Sequence, residues 1–122
     1  MRVKSYKELI VWQKSITATQ EVYSIVKELP KVELFALSDQ MRRAAVSIPS
    51  NIAEGYGRGT DSEFARFLRI SHGSLTELET QLILCTKIGY LKEEEITNLM
   101  GILDEIGKMI NSLLSKLNTD KQ

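Results

Sequence analysis

Apolar residues return every three or four positions through the first 29 residues of the chain, a spacing typical of an amphipathic helix. Ser5 and Glu8 have the form of a capping box, and Pro30 pushes the residue before it out of the helical region. We therefore predict a first helix over residues 5–29. Two apolar stripes run side by side along it, which is wide enough for both a core and an oligomer interface. The stripes are Leu9, Trp12, Ile16, Tyr23 and Val26, and Val11, Ala18, Val22, Ile25 and Leu29.

A further apolar stripe, in the middle of the chain, continues across Pro49 without a change of spacing. It predicts a second helix over residues 34–57 that is kinked at Pro49 but continuous; the alternative is a break and restart just after the proline. Proline removes one backbone hydrogen bond inside a helix, so another group must bond the freed carbonyl. Ser47, Ser50 and Asn51 are short polar residues that can do so. The stripe consists of Leu37, Met41, Ala44, Ile48 and Ile52.

The second half of the chain shows the most regular pattern. Thr60 with Glu63 forms another capping box and Gly89 is a natural left-handed terminator, so a third helix is predicted over residues 61–88. A fourth helix is predicted over residues 93–117, with glutamates in its first turn, where the helix dipole favours them. Their apolar residues alternate at spacings of four and three. These are Phe64, Leu68, Ser71, Leu75, Leu78, Leu82 and Cys85, then Ile96, Leu99, Leu103, Ile106, Ile110, Leu113 and Leu117.

Four helices with heptad-like stripes and short connections predict an all-α protein. No segment shows the period-two alternation of a strand. Short connections place successive helices side by side in opposite directions, which favours an antiparallel up-down-up-down four-helix bundle. At 122 residues, with 43% hydrophobic and 26% charged residues, the chain is expected to fold as one globular domain spanning 1–122.

The composition argues against several kinds of site. Cys85 has no partner for an intramolecular disulfide and lies on an apolar stripe, so we interpret it as a buried structural thiol in a reducing compartment. With His72 as the single histidine, we expect no metal site and no cofactor. The N-terminus lacks the features of a signal peptide, and no apolar run is long enough to span a membrane. These features predict a cytoplasmic protein without membrane contact.

The net charge is zero, but the charges are unevenly distributed. Residues 1–76 carry 11 Lys and Arg against 8 Asp and Glu, residues 77–105 carry 2 against 7, and residues 106–122 carry 3 against 1. The chain thus has a basic first part and an acidic region after it. As a whole it is less basic than a protein committed to binding RNA would be.

Five arginines, with no lysine among them, stand between residues 42 and 72. Arginine suits bidentate contacts to phosphate or carboxylate groups. We interpret these residues as a candidate nucleic-acid-binding surface; the alternative is that they pair with Glu54, Glu77 or Glu79 of the same or an adjacent subunit. The five candidates are Arg42, Arg43, Arg58, Arg66 and Arg69.

Two other motifs have simpler interpretations. The glycines of "GYGRG", residues 55–59, predict a tight turn rather than a phosphate-binding loop, because such loops follow a strand. Arg66 and His72 resemble in their spacing the Arg–His pair of HEPN-type ribonucleases, but a surface or interface histidine is the simpler interpretation. Nothing in the chain has the form of a nucleophile elbow. We expect no catalytic residues and no enzymatic activity.

Most of the chain resembles a known family. The runs "SYKELIVWQKS", "LSDQMRRAAVSIPSNIAEGYGRGT", "FARFLRISHGSLTELETQLIL" and "IGYL" resemble, in order and spacing, the bacterial four-helix-bundle proteins encoded in 23S rRNA intervening sequences. That family is related to the Avd accessory proteins of diversity-generating retroelements. The resemblance implies a non-enzymatic bundle that assembles into a ring-shaped homopentamer. It also implies a basic surface that engages nucleic acid and, in the Avd relatives, a reverse transcriptase.

Three functional hypotheses follow from the sequence. The first is a homo-oligomeric adaptor that binds RNA or DNA, or a partner such as a reverse transcriptase or a ribosomal component, through the arginines and phosphate contacts. The second is a protein-only scaffold in which the same arginines pair with acidic residues across subunits. The third is a HEPN-like ribonuclease that uses Arg66 and His72.

Overall fold

Four long helices make up most of the chain. The computed structural model describes residues 3–117. The helices are α1 (Ile10–Ile25), α2 (Leu37–Gly57), α3 (Asp61–Ile88) and α4 (Glu93–Leu117). Three short 3-10 turns, at Tyr6–Glu8, Val26–Glu28 and Lys31–Glu33, flank α1 and precede α2. Within residues 3–117 no strand is present, and the all-α prediction is confirmed.

The four helices form a bundle in which each packs against two others. α1 lies against α2 and α4, and α3 lies against the same two helices. Along the α2–α3 contact, Met41 approaches Cys85 while Ile48 approaches Ser71, so the residue numbers run in opposite directions. The connections at residues 58–60 and 89–92 reverse the chain, as the predicted up-down-up-down bundle requires.

The predicted bounds of the first helix, residues 5–29, are too wide. Ser5 accepts a hydrogen bond from the Lys7 N–H at 3.1 Å and caps only the first 3-10 turn. Leu9 then takes an extended backbone, so the α-helix begins at Ile10. At the other end α1 stops at Ile25 and is followed by a 3-10 turn. The capping box was a correct sign of a helical start but could not distinguish a 3-10 turn from an α-helix.

The second helix begins at Leu37 rather than at residue 34, because the preceding segment is a separate 3-10 turn. Glu33 stabilises this connection, because both of its carboxylate oxygens accept hydrogen bonds. One of its carboxylate oxygens accepts the Leu37 N–H at 3.3 Å, and the other accepts the Tyr90 hydroxyl at 2.7 Å. The apolar Val32 and Phe35 beside it point outwards, with 81% and 90% of their surfaces exposed. The predicted bounds of α3 and the predicted start of α4 agree with the structure, and α4 is helical as far as the described residues extend.

The core is built from the predicted stripes. All seven stripe residues of α3 are buried, as are the first five of α4. In α1 the second stripe supplies the core, with Val11, Ala18 and Val22 buried, whereas Tyr23 of the first stripe is exposed. Cys85 is fully buried against Met41, as predicted, and burial, together with the nearby Glu33 carboxylate, raises the pKa of its thiol. It therefore stays a neutral packing group.

Helix α2 runs through Pro49 as one uninterrupted helix, so the predicted continuity is confirmed, while the kink stays a prediction. Pro49 has no N–H for the carbonyl of Ala45, four residues earlier. The hydroxyl of Thr19 on α1 lies 3.1 Å from that oxygen and 2.8 Å from the Ser15 carbonyl. The freed carbonyl thus shares the single hydroxyl hydrogen of Thr19, a residue of another helix, with the Ser15 carbonyl. The predicted donors were wrong, since Asn51 bonds Ser47 instead.

Close approach of α2 and α3 explains one glycine of the 55–59 run. A Cβ on Gly55 would lie 2.5 Å from the Cβ of Phe67, so only glycine fits there. Gly59 takes a left-handed φ of 91° in the turn that leads into α3, as the turn interpretation predicts. Thr60 then caps α3 by accepting the Glu63 N–H at 3.1 Å.

Candidate nucleic-acid interface

Two of the five candidate arginines meet at the turn between α2 and α3. The guanidinium of Arg58 lies 4.9 Å from the centre of the Phe67 ring, and that of Arg66 lies 4.5 Å from it. Arg58 ends α2 and Arg66 stands in the second turn of α3, so the short connection brings them together. Stacking on one aromatic ring holds both planar groups in place at the surface.

These two arginines already form ion pairs with carboxylates of α2 and α3. Arg58 donates to Glu54 at 2.8 Å and lies 3.6 Å from Glu63. Arg66 donates two hydrogen bonds to the Glu63 carboxylate, one from Nε at 3.4 Å and one from a terminal nitrogen at 3.2 Å. The hydrogen bond to Glu54 raises the pKa of Arg58, and the hydrogen bond from Arg66 lowers the pKa of Glu63. This cluster is therefore stacked, internally paired and close to neutral.

Arg69 lies about one helical turn beyond Arg66 and is exposed. Among the described residues it makes no ion pair and no hydrogen bond. Its guanidinium keeps all its donors available to an anion.

Arg42 and Arg43 lie at the other end of α2, on the side that faces α1. They line a cleft with Tyr23 of α1, and both lie near the carboxylate of Asp39. Arg42 is mostly covered and donates to the Leu34 carbonyl at 3.3 Å. Arg43 donates from Nε to Asp39 at 3.0 Å and leaves 79% of its side chain exposed.

The structure thus divides the five predicted residues instead of gathering them. Arg43 and Arg58 stand on one helix, about 22 Å apart along its axis at 1.5 Å per residue. One group faces the α2–α3 turn and the other faces the α1–α2 cleft. The two most available arginines are Arg43, which lines the cleft, and Arg69, which lies further along α3.

The HEPN-like pair is not brought together. Arg66 is held by Glu63 and Phe67, whereas His72 lines a cleft between α3 and α4 with Glu79 and Asp104. Burial, and then the neighbouring Asp104, raise the pKa of the Glu79 carboxyl. No arginine lines this cleft. Among residues 3–117, no group of three or more His, Cys, Asp and Glu side chains is placed to hold a metal ion.

Taken together, these features define an all-helical four-helix bundle whose five candidate arginines lie on α2, directly after its last residue and on α3. The part of the chain that the structure describes contains no helix that is long and apolar enough to cross a membrane. A family model described as "23S rRNA-intervening sequence protein" matches residues 7–112. The chain belongs to the family of 23S rRNA-intervening sequence proteins, as the resemblance of its sequence predicts.

A solved structure supports the same fold. It is a protein of unknown function from the S23 ribosomal protein family of Bacteroides thetaiotaomicron, 25% identical to this chain, with a TM-score of 0.80. The match covers 86% of this chain and 98% of that one. No curated protein matches the chain. The relation to Avd proteins stays a prediction.

Proposed function

We propose that this protein is a non-enzymatic, homo-oligomeric adaptor that binds RNA through phosphate contacts from its exposed arginines. The observation that carries the proposal is the availability of Arg43 and Arg69. Arg43 uses only Nε internally and is mostly exposed, and Arg69 has no partner among the described residues. Guanidinium groups with unused donors bind phosphate oxygens well, and such contacts do not depend on base sequence.

The proposal includes self-association because one copy offers few arginines with unused donors among the described residues. In a closed ring each arginine is repeated by symmetry, so a weak patch becomes a multivalent surface. The exposed Val32 and Phe35 are apolar groups that association would cover. A pentamer, as in the ring implied by the family resemblance, is the expected assembly.

The nucleic-acid part is tested by titrating a labelled, structured RNA at 50 and 200 mM salt. The parent protein should bind, with affinity that falls steeply as salt rises. Reversing charge at Arg43 and Arg69 together should lower the salt slope by more than 1, since each lost phosphate contact removes about 0.7–0.9. Reversing charge at Lys27 and Lys31 is the matched control, because both are exposed cations outside the arginine groups. No binding by the parent at low salt would exclude the proposal.

The assembly part is tested by light scattering. Phe35→Ser should lower the mass of the particle without loss of helical content, because the side chain is exposed in the single chain. Ile10→Ser is a matched control on α1, where 54% of the isoleucine is exposed. A parent protein that stays monomeric at all concentrations would rule out the oligomeric adaptor.

A protein-only scaffold is the second candidate, and the pairing of Arg58 and Arg66 favours it. Each is matched by a carboxylate three or four residues away on its own helix, so neither needs a nucleic acid. Under this hypothesis the parent assembles but binds no RNA. Light scattering and the RNA titration together separate the two candidates.

A further inference from the structure

A cleft between α1 and α2 combines an aromatic ring, an apolar wall and two arginines. Tyr23 of α1 forms one side, and residues from the first half of α2 form the other. The lining residues are Tyr23, Asp39, Arg42, Arg43, Val46 and Ser47. Aromatic and basic groups that share one groove are the elements that proteins use to bind single-stranded nucleic acid.

Tyr23 is available for stacking. It is 45% exposed, although it belongs to an apolar stripe of α1. Within residues 3–117 its ring stacks on no other ring and its hydroxyl bonds no other group. By contrast, Tyr6 of the first 3-10 turn and Trp12 of α1 meet edge to face, with ring centres 5.3 Å apart.

The two arginines have different parts in the cleft. Arg42 is fixed by the Leu34 carbonyl at 3.3 Å and has only 24% of its side chain exposed, so it supplies a positioned charge. Arg43 bonds Asp39 through Nε alone, and within residues 3–117 its two terminal amino groups make no hydrogen bond. Asp39 offsets one of the two positive charges, and the cleft keeps a net charge of about +1. That charge suits one phosphate group.

Val46, which is 41% exposed, gives the cleft an apolar wall next to Tyr23. The groove continues along the same two helices past Ile16, Pro49 and Ala53. A flat base can lie on the tyrosine ring and against this wall while its phosphate meets Arg43. In a duplex the bases are stacked on one another and cannot enter such a cleft.

We propose that the α1–α2 cleft binds one nucleotide of single-stranded RNA, with its base stacked on Tyr23 and its phosphate held by Arg42 and Arg43. This inference rests on the proposed RNA-binding function and locates its base contact. The α2–α3 turn is a poorer base site, because its ring, Phe67, is already covered by Arg58 and Arg66.

The test compares three labelled ligands of equal length: an oligo-uridine strand, the same phosphate backbone without bases, and an RNA duplex. The parent oligomer should bind oligo-uridine more tightly than the abasic strand or the duplex. Tyr23→Ala should weaken oligo-uridine binding by about 5- to 150-fold, the range for loss of one stacked base, and leave abasic binding unchanged. Tyr23→Phe, which keeps the ring, should bind like the parent.

Ile83→Ala is the control, since Ile83 is also 45% exposed but lies on α3. A 4-thiouridine strand should crosslink at Tyr23 in the parent, which gives a second readout. If the parent binds RNA but Tyr23→Ala binds oligo-uridine equally well, the stacking site is wrong and the adaptor proposal stands. Equal losses for the abasic strand and oligo-uridine, or preference for the duplex, also overturn the stacking site. If the parent binds none of the three ligands, both proposals fail.

Discussion

Helix α2 has two different sides. On the α3 side the backbones come so close that Gly55 admits no Cβ, Ser47 and Ser74 share a hydrogen bond of 2.7 Å, and nearby arginines are paired with glutamates. On the α1 side a single interhelical hydrogen bond, from Thr19, lies beside an open groove, and Arg43 is exposed. The comparison teaches that close packing and paired arginines characterise the α3 side, whereas the α1 side keeps an open groove and an arginine with unused donors.

The largest expected effect is at the close contact between α2 and α3. Gly55→Ala places a methyl group 2.5 Å from the Phe67 Cβ, so one of the two backbones must move. We expect the free energy of unfolding to fall by about 1–3 kcal/mol, in spite of the higher helix propensity of alanine.

Denaturant unfolding measures this loss. Gly57→Ala is the control, since a Cβ there meets nothing within 4 Å, and it should be neutral or stabilising by up to about 1 kcal/mol. Equal effects of the two substitutions would mean that the α2–α3 contact is no tighter than the rest of the bundle.

The next effect concerns the hydrogen bond across the α1 side. Thr19→Val keeps the shape of the side chain but leaves the Ala45 carbonyl without its donor. We expect a loss of about 1–2 kcal/mol in the free energy of unfolding. In a Pro49→Ala background the restored N–H bonds that carbonyl, so the loss should shrink by at least half. A full loss in both backgrounds would contradict the assigned role of Thr19.

A smaller effect separates the two groups of arginines. Arg43→Gln should lower the salt slope of RNA binding by about 0.7, the contribution of one phosphate contact on a single strand. Arg66→Gln should change it less, because Glu63 already holds that guanidinium with two nitrogens. Lys27→Gln serves as the control for loss of an exposed cation. A larger change for Arg66 than for Arg43 would reverse the comparison.

The smallest effect is the pH dependence of the Glu63 pair. The pKa of Glu63 is lowered in the folded protein, so the unfolded chain binds more protons at acidic pH. The pair therefore contributes its stability above the ordinary glutamate pKa of about 4.3, and loses it as pH falls through the folded value. The contribution is small because the pair is exposed. The stabilities of the parent and Glu63→Gln should differ at pH 7 and converge as the Glu63 carboxyl becomes protonated at acidic pH; a constant difference would argue against the pair.

Helix α3 and the start of α4 could be predicted because both helices carry a regular stripe, α3 has a signal at each end, and α4 opens on a run of glutamates. Thr60 and Gly89 mark the two ends of α3, and each does so through hydrogen bonds to residues three or four positions away. The ends of α1 could not be predicted in the same way, since a capping serine suits a 3-10 turn as well as an α-helix. The donor for the Ala45 carbonyl lies 26 residues away, beyond the reach of any local pattern.

The candidate site shows a similar division. The spacing of Glu54 from Arg58 and of Glu63 from Arg66 already fits helical ion pairs, so their internal pairing was visible in the sequence. The role of Tyr23 was not visible. Its position in an apolar stripe indicated a core or interface residue, and only the packing of α1 on α2 shows that the ring stays exposed.

The missing N–H of Pro49 has a consequence for how the protein assembles. A hairpin of α2 and α3 alone would leave the Ala45 carbonyl to water, so α2 completes its hydrogen bonding only when α1 docks. The proline thereby couples the first helix to the formation of the second. Partly folded states without α1 leave a carbonyl in the middle of α2 without a protein donor, and they are less stable for that reason. Folding of the bundle therefore becomes more cooperative.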